Sequence, residues 1–173
     1  PYIYPAGSVT QMVPLTDVNT GAATLLSTLN STTASGSSFV PMGMIWAWNA
    51  LTPEAPFTEA RTKADMAAVG GRKVMLVITD GGNNVVPQSD GSLSISGSVS
   101  TSDDLEKQIC QNVKADGIEI YAVNYLDTST SNQDLLKNCA SDADHYFNVT
   151  NATELQKAFQ NITDKMSLVR LVN

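Results

Sequence analysis

The chain has 173 residues and a formal net charge of −7, with 42% hydrophobic and 16% charged residues. Its length suits one domain with a buried core, and its apolar content does not fit a disordered acidic tail. The acidic balance argues against a nucleic-acid binder, which needs a basic surface. One histidine and two cysteines are too few for a zinc site of four cysteines or of several histidines.

The first 70 residues predict mainly helices, separated by small polar residues. Asp17 can cap a helix, Thr52 with Pro53 is typical of the start of a helical turn, and Gly70-Gly71 can end a further helix. In chain order we expect a short strand over 9–13 and helices over 18–30, 39–51 and 58–69.

The remaining residues alternate strands with helices. The run Lys73–Thr79 (KVMLVIT) is a continuous apolar segment, as expected for a parallel strand covered on both faces. A Ser- and Gly-rich insertion, residues 85–102, predicts a small hairpin, and Asp103 with Glu106 predicts the capping box of the next helix. Further expected elements are strands over 118–125 and 146–149, a short helix from Asn132, a last helix capped by Asn151 and Glu154, and an edge strand in the tail. This alternation predicts an α/β fold with a Rossmann-like parallel sheet flanked by helices.

Asp80 directly follows the apolar strand 73–79. In open parallel sheets, ligands bind at the carboxyl ends of the strands. A carboxylate there is costly to desolvate unless it meets a cation or good hydrogen bonds, so Asp80 is a candidate ligand of a metal or polar group. The alternative is that Asp80 only caps the glycine turn that follows it.

The segment KVMLVITDGGNN, followed by a helix and GIEIYAVNY, resembles the second half of a von Willebrand factor A (VWA) domain. The narrower resemblance is to the bacterial Tad (tight adherence) pilus-assembly proteins of the TadG type. The stretches that carry it are VPLT at 13–16, VPMGMIWAWNALTPEAPF at 40–57, CQNVKADGIEIYAVNY at 110–125, LLKNCAS at 135–141, NATELQKAFQNI at 151–162 and LVRL near the end. The resemblance implies one VWA-like domain over 1–173.

VWA domains hold a divalent ion, usually magnesium, at the top of the sheet. The resemblance implies three ligand segments: an Asp-x-Ser-x-Ser loop after the first strand, a middle-loop Thr, and an Asp after the fourth strand. Asp80 corresponds to the last of these. Ser38 stands where the family has the Thr and keeps a hydroxyl oxygen, which suits Mg²⁺ or Ca²⁺.

The family's first strand and its metal loop have no counterpart in this sequence. A literal Asp-x-Ser-x-Ser occurs at Asp90–Ser94, but it follows no apolar strand, and we interpret it as a chance match in a Ser-rich stretch. We therefore expect an N-terminally incomplete domain, whose first central strand lies upstream of Pro1. The apolar edge of strand 73–79 would then be exposed, and metal binding by the two remaining ligands would be weak or absent.

Cys110 and Cys139 lie on predicted helices that flank strand 118–125. The resemblance implies an exported protein, and two cysteines in such a domain favour a disulfide. The alternative is a pair of buried thiols in a cytosolic domain.

The resemblance implies a non-enzymatic interaction domain, periplasmic or on the cell surface, acting in pilus assembly or attachment. A bound metal would accept a carboxylate from a protein partner, and a membrane anchor is expected outside this chain, since no apolar run approaches the ~20 residues of a membrane helix. One alternative is a Rossmann-like hydrolase or transferase that uses Asp80. Another is an extracellular eukaryotic VWA adhesion domain, in which Asn-x-Ser/Thr sites carry glycans; such sites occur at Asn30, Asn148, Asn151 and Asn161.

Overall fold

A computed structural model of the chain describes residues 12–33 and 36–168. Helices and strands alternate through the second half, as the sequence predicts. In chain order the elements are α1 (Val18–Ser31), α2 (Val40–Ala50), α3 (Lys63–Ala68), β1 (Lys73–Thr79), β2 (Val86–Pro87), β3 (Leu93–Ser94), α4 (Ser100–Ala115), β4 (Ile118–Tyr125), α5 (Thr130–Cys139), β5 (Tyr146–Val149) and α6 (Ala152–Leu168).

The main sheet contains β1, β4 and β5 in that order, and all three strands are parallel. Lys73 lies opposite Ile118 in the first pair, and Ala122 lies opposite Tyr146 in the second. This order confirms the predicted α/β parallel sheet and puts β4 at its centre. In the 85–102 insertion, β2 and β3 form the small antiparallel hairpin that the sequence predicts.

The core lies on both faces of β4. On one face, Ile120 and Ala122 pack with Met75, Val77 and apolar residues of α2, α4 and α5. On the other face, residues of α6 cover Tyr121 and Val123. Helices on both faces therefore explain why the sequence of β4 is apolar at successive positions.

β1 is covered differently from the prediction. Met75 and Val77 are buried, but Leu76 and Ile78, which point to the other face, are 38% and 45% exposed. The expectation of a strand covered on both faces is therefore wrong for β1 within the described residues. The reason is its position, because among the described strands β1 has only β4 as a neighbour, and of its side chains on that face Val74 alone packs against the α6-side cluster.

Two helical predictions in the first half need correction. Residues 51–57 form turns with an isolated bridge between Glu54 and Phe57, where Thr52-Pro53 predicted the start of a helix. Pro56 disfavours helical backbone at the residue before it. The helix expected over 58–69 begins only at Lys63, because the Thr62 side chain accepts a hydrogen bond from the Asp65 amide and caps it there.

α4 begins at Ser100, earlier than its predicted cap. The Asp103 amide already donates to the Val99 carbonyl, so Asp103 lies in the first turn and caps nothing. Glu106 is therefore not part of a capping box. It lies on the helix face that carries Ile109 and Val113, and it is buried with them.

The ends of the last helices agree better with the sequence. α5 begins at Thr130, two residues before the predicted start. At α6, the Glu154 amide donates to the Asn151 side chain, and the Glu154 carboxylate accepts from the Thr150 amide, so the predicted capping residues are confirmed. Of the strand predicted over 9–13, only residues 12 and 13 are described, and they are not in a strand; the predicted tail strand lies outside the described residues.

Candidate functional site

The carboxyl ends of the three parallel strands carry polar side chains. Thr79, Asn124 and Asn148 lie side by side in the register, and Asp80 leaves the sheet directly after Thr79. Asp80 is exposed, and no described residue donates a hydrogen bond to its carboxylate. The carboxylate is therefore not used as the turn cap that was the alternative reading; the Thr79 hydroxyl makes the local bonds to Gly81 instead.

The loop after β1 holds Ser38 through its backbone. The Ser38 amide donates to Asn84 Oδ1 at 2.6 Å, and the Asn84 amide donates to the Ser38 carbonyl at 3.0 Å. The Ser38 hydroxyl makes no hydrogen bond within the described part of the chain. Its oxygen is therefore free to bind a ligand, as the Asp80 carboxylate is.

The same loop caps α2. Phe39 occupies the N-cap position and has no side chain that could accept a hydrogen bond there. Asn83 supplies the acceptor instead, because the Val40 amide donates to Asn83 Oδ1 at 2.9 Å. Pro41, the next residue of the helix, has no amide hydrogen to satisfy.

Asn83 is held in turn by two carboxyl groups of α4. Its Nδ2 donates to Asp103 Oδ1 at 3.0 Å and to Glu106 Oε2 at 2.8 Å. Glu106 is only 1% exposed. Burial, with a smaller contribution from the charge of Asp103, raises the pKa of Glu106 to about 7, although the hydrogen bond from Asn83 opposes this shift.

Sequence reasoning missed the role of Glu106 because it assigned the residue to a helix cap. A signal was available, since Glu106 shares its face of α4 with Ile109, Cys110 and Val113 at spacings of three, four and seven. A carboxyl group in such an apolar stripe needs a polar partner. Asn83 is that partner, and nothing in the local sequence identifies it.

Ser38 and Asp80 line one groove of about 470 Å³ beside β1. Met44 and Ala47 of α2 form one wall, and Leu76 and Ile78 of β1 contribute to the other. The structure therefore brings the two metal ligands predicted from the sequence to a common surface. The groove follows the free edge of β1.

The two side chains fit part of a divalent-cation site. A carboxylate and a hydroxyl are oxygen ligands of the kind that Mg²⁺ and Ca²⁺ prefer, but these ions take about six or more ligands. Within residues 12–33 and 36–168, no group of three His, Cys, Asp or Glu side chains could hold a metal ion. A complete site would need oxygen ligands from solvent, from a partner or from a further segment.

The literal Asp-x-Ser-x-Ser match lies in the β2–β3 hairpin, away from the parallel sheet. Asp90 Oδ1 accepts a hydrogen bond from the Ser92 amide at 2.8 Å, and bonds from Ser92 hold the pKa of Asp90 below its usual value. Gly91 adopts a positive φ of 84° between them. These contacts are those of a tight hairpin turn.

Cys110 and Cys139 form a disulfide, as the sequence predicts. Each is 1% exposed, and the bond joins α4 to α5 beside β4. The alternative of two free thiols is therefore wrong.

A parallel sheet of three described strands with helices on both faces defines a Rossmann-like α/β domain. The family model of the von Willebrand factor type A domain matches residues 4–161, which is most of the chain. The chain belongs to this family. A comparison with curated protein sequences gave no match.

Solved structures with this fold include two pilus proteins. The pilus adhesin SpaC from Lactobacillus rhamnosus GG has a TM-score of 0.65 at 12% identity, over 89% of this chain and 22% of SpaC. The vWF domain of the type V pili tip protein Mfa5 from Porphyromonas gingivalis has a TM-score of 0.64 at 13% identity, over 87% of this chain and 74% of that one. At these identities the likeness establishes the fold alone, and this chain spans about a fifth of the length of SpaC.

A third solved structure comes from outside the pili. Proximal thread matrix protein 1 from the mussel byssus has a TM-score of 0.55 at 14% identity, over 92% of this chain and 31% of that one. None of the helices in the described ranges combines the length and apolarity that are needed to cross a membrane.

Proposed function

We propose that this domain is a non-enzymatic protein-interaction module that acts in pilus assembly or surface attachment, of the Tad type. It binds a carboxylate of a protein partner through Mg²⁺ or Ca²⁺. Asp80 contributes a carboxylate oxygen and Ser38 a hydroxyl oxygen to the ion. The observation that carries the proposal is that these two side chains are uncommitted and line one groove at the carboxyl end of β1.

The side chains that line the groove suit the binding of a protein partner better than catalysis. Its walls are apolar side chains of α2 and β1, and among the described residues Asp80 is the single ionisable one that lines it. A hydrolase or transferase that used the Ser38 hydroxyl or Asp80 would need a general acid or base beside it, and the described lining offers no ionisable side chain besides Asp80 for that role. The pilus proteins SpaC and Mfa5, which share the fold, support the assignment to the cell surface or periplasm.

The free edge of β1 is the proposed place for a further strand. At this edge β1 presents backbone groups that no described strand pairs with, and the exposed Leu76 and Ile78 lie beside them. In the VWA domains that this chain resembles, a strand that ends in Asp-x-Ser-x-Ser pairs with the corresponding strand and supplies further oxygen ligands to the ion. Without it, we propose that the ion binds only weakly to Asp80 and Ser38.

Paramagnetic Mn²⁺ tests this site, because it broadens nearby NMR signals even when binding is weak. We expect broadening of amide signals around residues 38–40 and 80–82 at millimolar Mn²⁺, and loss of that broadening in Asp80→Asn. Since Asp80 is exposed and makes no hydrogen bond to a described residue, this variant should keep the stability of the wild-type chain.

Asp90→Asn is the matched control, because Asp90 heads the other Asp-x-Ser-x-Ser sequence. It should leave the broadening around Asp80 unchanged. Broadening centred on residues 90–94 and lost in Asp90→Asn would contradict the proposal, as would a wild-type spectrum unaffected by Mn²⁺.

A further inference from the structure

We propose that Asn83 is a positioning residue that couples the ionisation of the buried Glu106 to the start of α2. The start of α2 carries Ser38 two residues before its first helical residue, Val40. The coupling is a property of the fold itself. Its consequence for metal binding rests on the proposed function.

The coupling runs through one side-chain amide. Asn83 Nδ2 donates to Glu106 and to Asp103, and Asn83 Oδ1 accepts from the Val40 amide. All of these donor–acceptor distances lie between 2.8 and 3.0 Å. Asn83 is 7% exposed, so water does not readily replace either carboxyl group as its partner.

The start of α2 depends on this amide because it has no side-chain cap of its own. Phe39 cannot accept a hydrogen bond through its side chain, and the first turn of α2 contains no acidic residue. The carboxyl groups behind Asn83 therefore provide the negative charge that favours a helix N-terminus. Asn84, the next residue of the same loop, accepts a hydrogen bond from the Ser38 amide. A shift of Asn83 therefore moves the contacts of Val40 and Ser38 together.

Few other charges act on Glu106. α2 and β2, which pack against α4, contain no charged residue. β4 carries Glu119 on its opposite face, and α5 carries Asp134 and Lys137, which are exposed. Asp103, one turn earlier on α4, is the charged group that shares the Asn83 amide.

A carboxylate is a stronger hydrogen-bond acceptor than a neutral carboxyl group. When Glu106 ionises, the bond from Asn83 Nδ2 strengthens, and the polarised amide becomes a better acceptor for the Val40 amide at its other end. The start of α2 is then held more tightly at pH 8 than at pH 6. A cation bound through Ser38 would meet a better fixed hydroxyl at the higher pH.

NMR of the full chain between pH 5.5 and 8.5 tests the coupling without any metal. We expect the Glu106 side-chain carboxyl carbon and the Val40 amide proton to titrate with one shared midpoint near pH 7. In Glu106→Gln, which keeps an acceptor oxygen but cannot ionise, the Val40 amide should no longer titrate.

His145→Gln is the control, because it removes the one histidine of the sequence. His145 contacts Asp142 and Tyr121 on the α6 face of the sheet, opposite to Glu106. The control should leave the Val40 titration intact. The proposal is overturned if Val40 and Glu106 titrate at different pH values in the wild-type chain, a test that needs no variant, or if the Val40 titration persists in Glu106→Gln.

A second arm separates this inference from the proposed function. The Mn²⁺ concentration that half-broadens the signals near Ser38 should fall about threefold or more from pH 6 to pH 8, and change less in Glu106→Gln. If no Mn²⁺ binds at any pH while Val40 still titrates with Glu106, the metal function is wrong and the positioning role of Asn83 stands.

Discussion

β1 and β4 are paired along seven residues and have similarly apolar sequences, but the structure surrounds them differently. On β4, every side chain from Ile120 to Asn124 is at most 1% exposed. On β1, the alternate side chains Leu76 and Ile78 are 38% and 45% exposed. An apolar run therefore shows that a strand needs cover on both faces, but the order of strands decides which neighbours can provide it.

The difference in cover between β1 and β4 also bears on function. The β4 side of the molecule is closed by α4, α5, α6 and the disulfide, and its side chains are buried. The β1 side carries the uncommitted oxygens of Ser38 and Asp80 and an open groove. The described groups for which we propose a bound ion and an added strand thus lie on the β1 side.

Truncation of matched isoleucines measures the contrast directly. Ile120→Ala on β4 removes a side chain that is 0% exposed and should lower the free energy of unfolding by up to about 5 kcal/mol. Ile78→Ala on β1, at 45% exposure, should cost less than about 1 kcal/mol. Urea unfolding of both variants gives the two values, and similar losses would show that β1 is as well covered as β4 in solution.

Loss of the disulfide weakens the closed side. The bond spans 29 residues, for which the chain-entropy argument gives about 3–4 kcal/mol. Cys110→Ser with Cys139→Ser should therefore lower the free energy of unfolding by that amount. Mn²⁺ broadening around Asp80 should persist in the folded double variant, since the bond lies beside β4. Loss of the broadening in a variant that remains folded would show that the two sides are not independent.

Glu106 links the two sides, and its ionisation should make stability depend on pH. Between about pH 4.5 and pH 7 the folded chain keeps a proton on Glu106 that the unfolded chain has released. Stability therefore falls as the pH rises through this range, by about 3 kcal/mol in total. The difference in unfolding free energy between wild type and Glu106→Gln, measured by urea at pH 4.5 and pH 8, isolates this contribution. An unchanged difference across the range would contradict it.

The sequence predicts the parallel sheet well because its strands are short apolar runs with clear ends. Lys73–Thr79, Ile118–Tyr125 and Tyr146–Val149 all begin and end where the pattern places them. The disulfide is expected from the narrower resemblance to exported pilus proteins. The apolar pattern of a strand and the resemblance to a family can both be recognised without knowing which elements meet in space.

The errors arise where distant segments meet. Asp103 and Glu106 have the spacing of a capping box, but Asn83, twenty and twenty-three residues away, binds both of them. The start of α2 lacks a recognisable cap in its own sequence for the same reason. At the candidate site, the sequence predicts Asp80 and Ser38 as ligands, and it does not show that the loop after β1 binds the start of α2.

The Cys110–Cys139 bond also limits how far the molecule can be stretched. A chain pulled from its two ends unfolds past the covalent link, but the loop between the cysteines, whose sequence separation is 29, stays closed. At about 3.5 Å per extended residue, this withholds about 100 Å of contour length. That segment contains all of β4, so the central strand of the sheet would not be drawn out under tension until the bond is reduced.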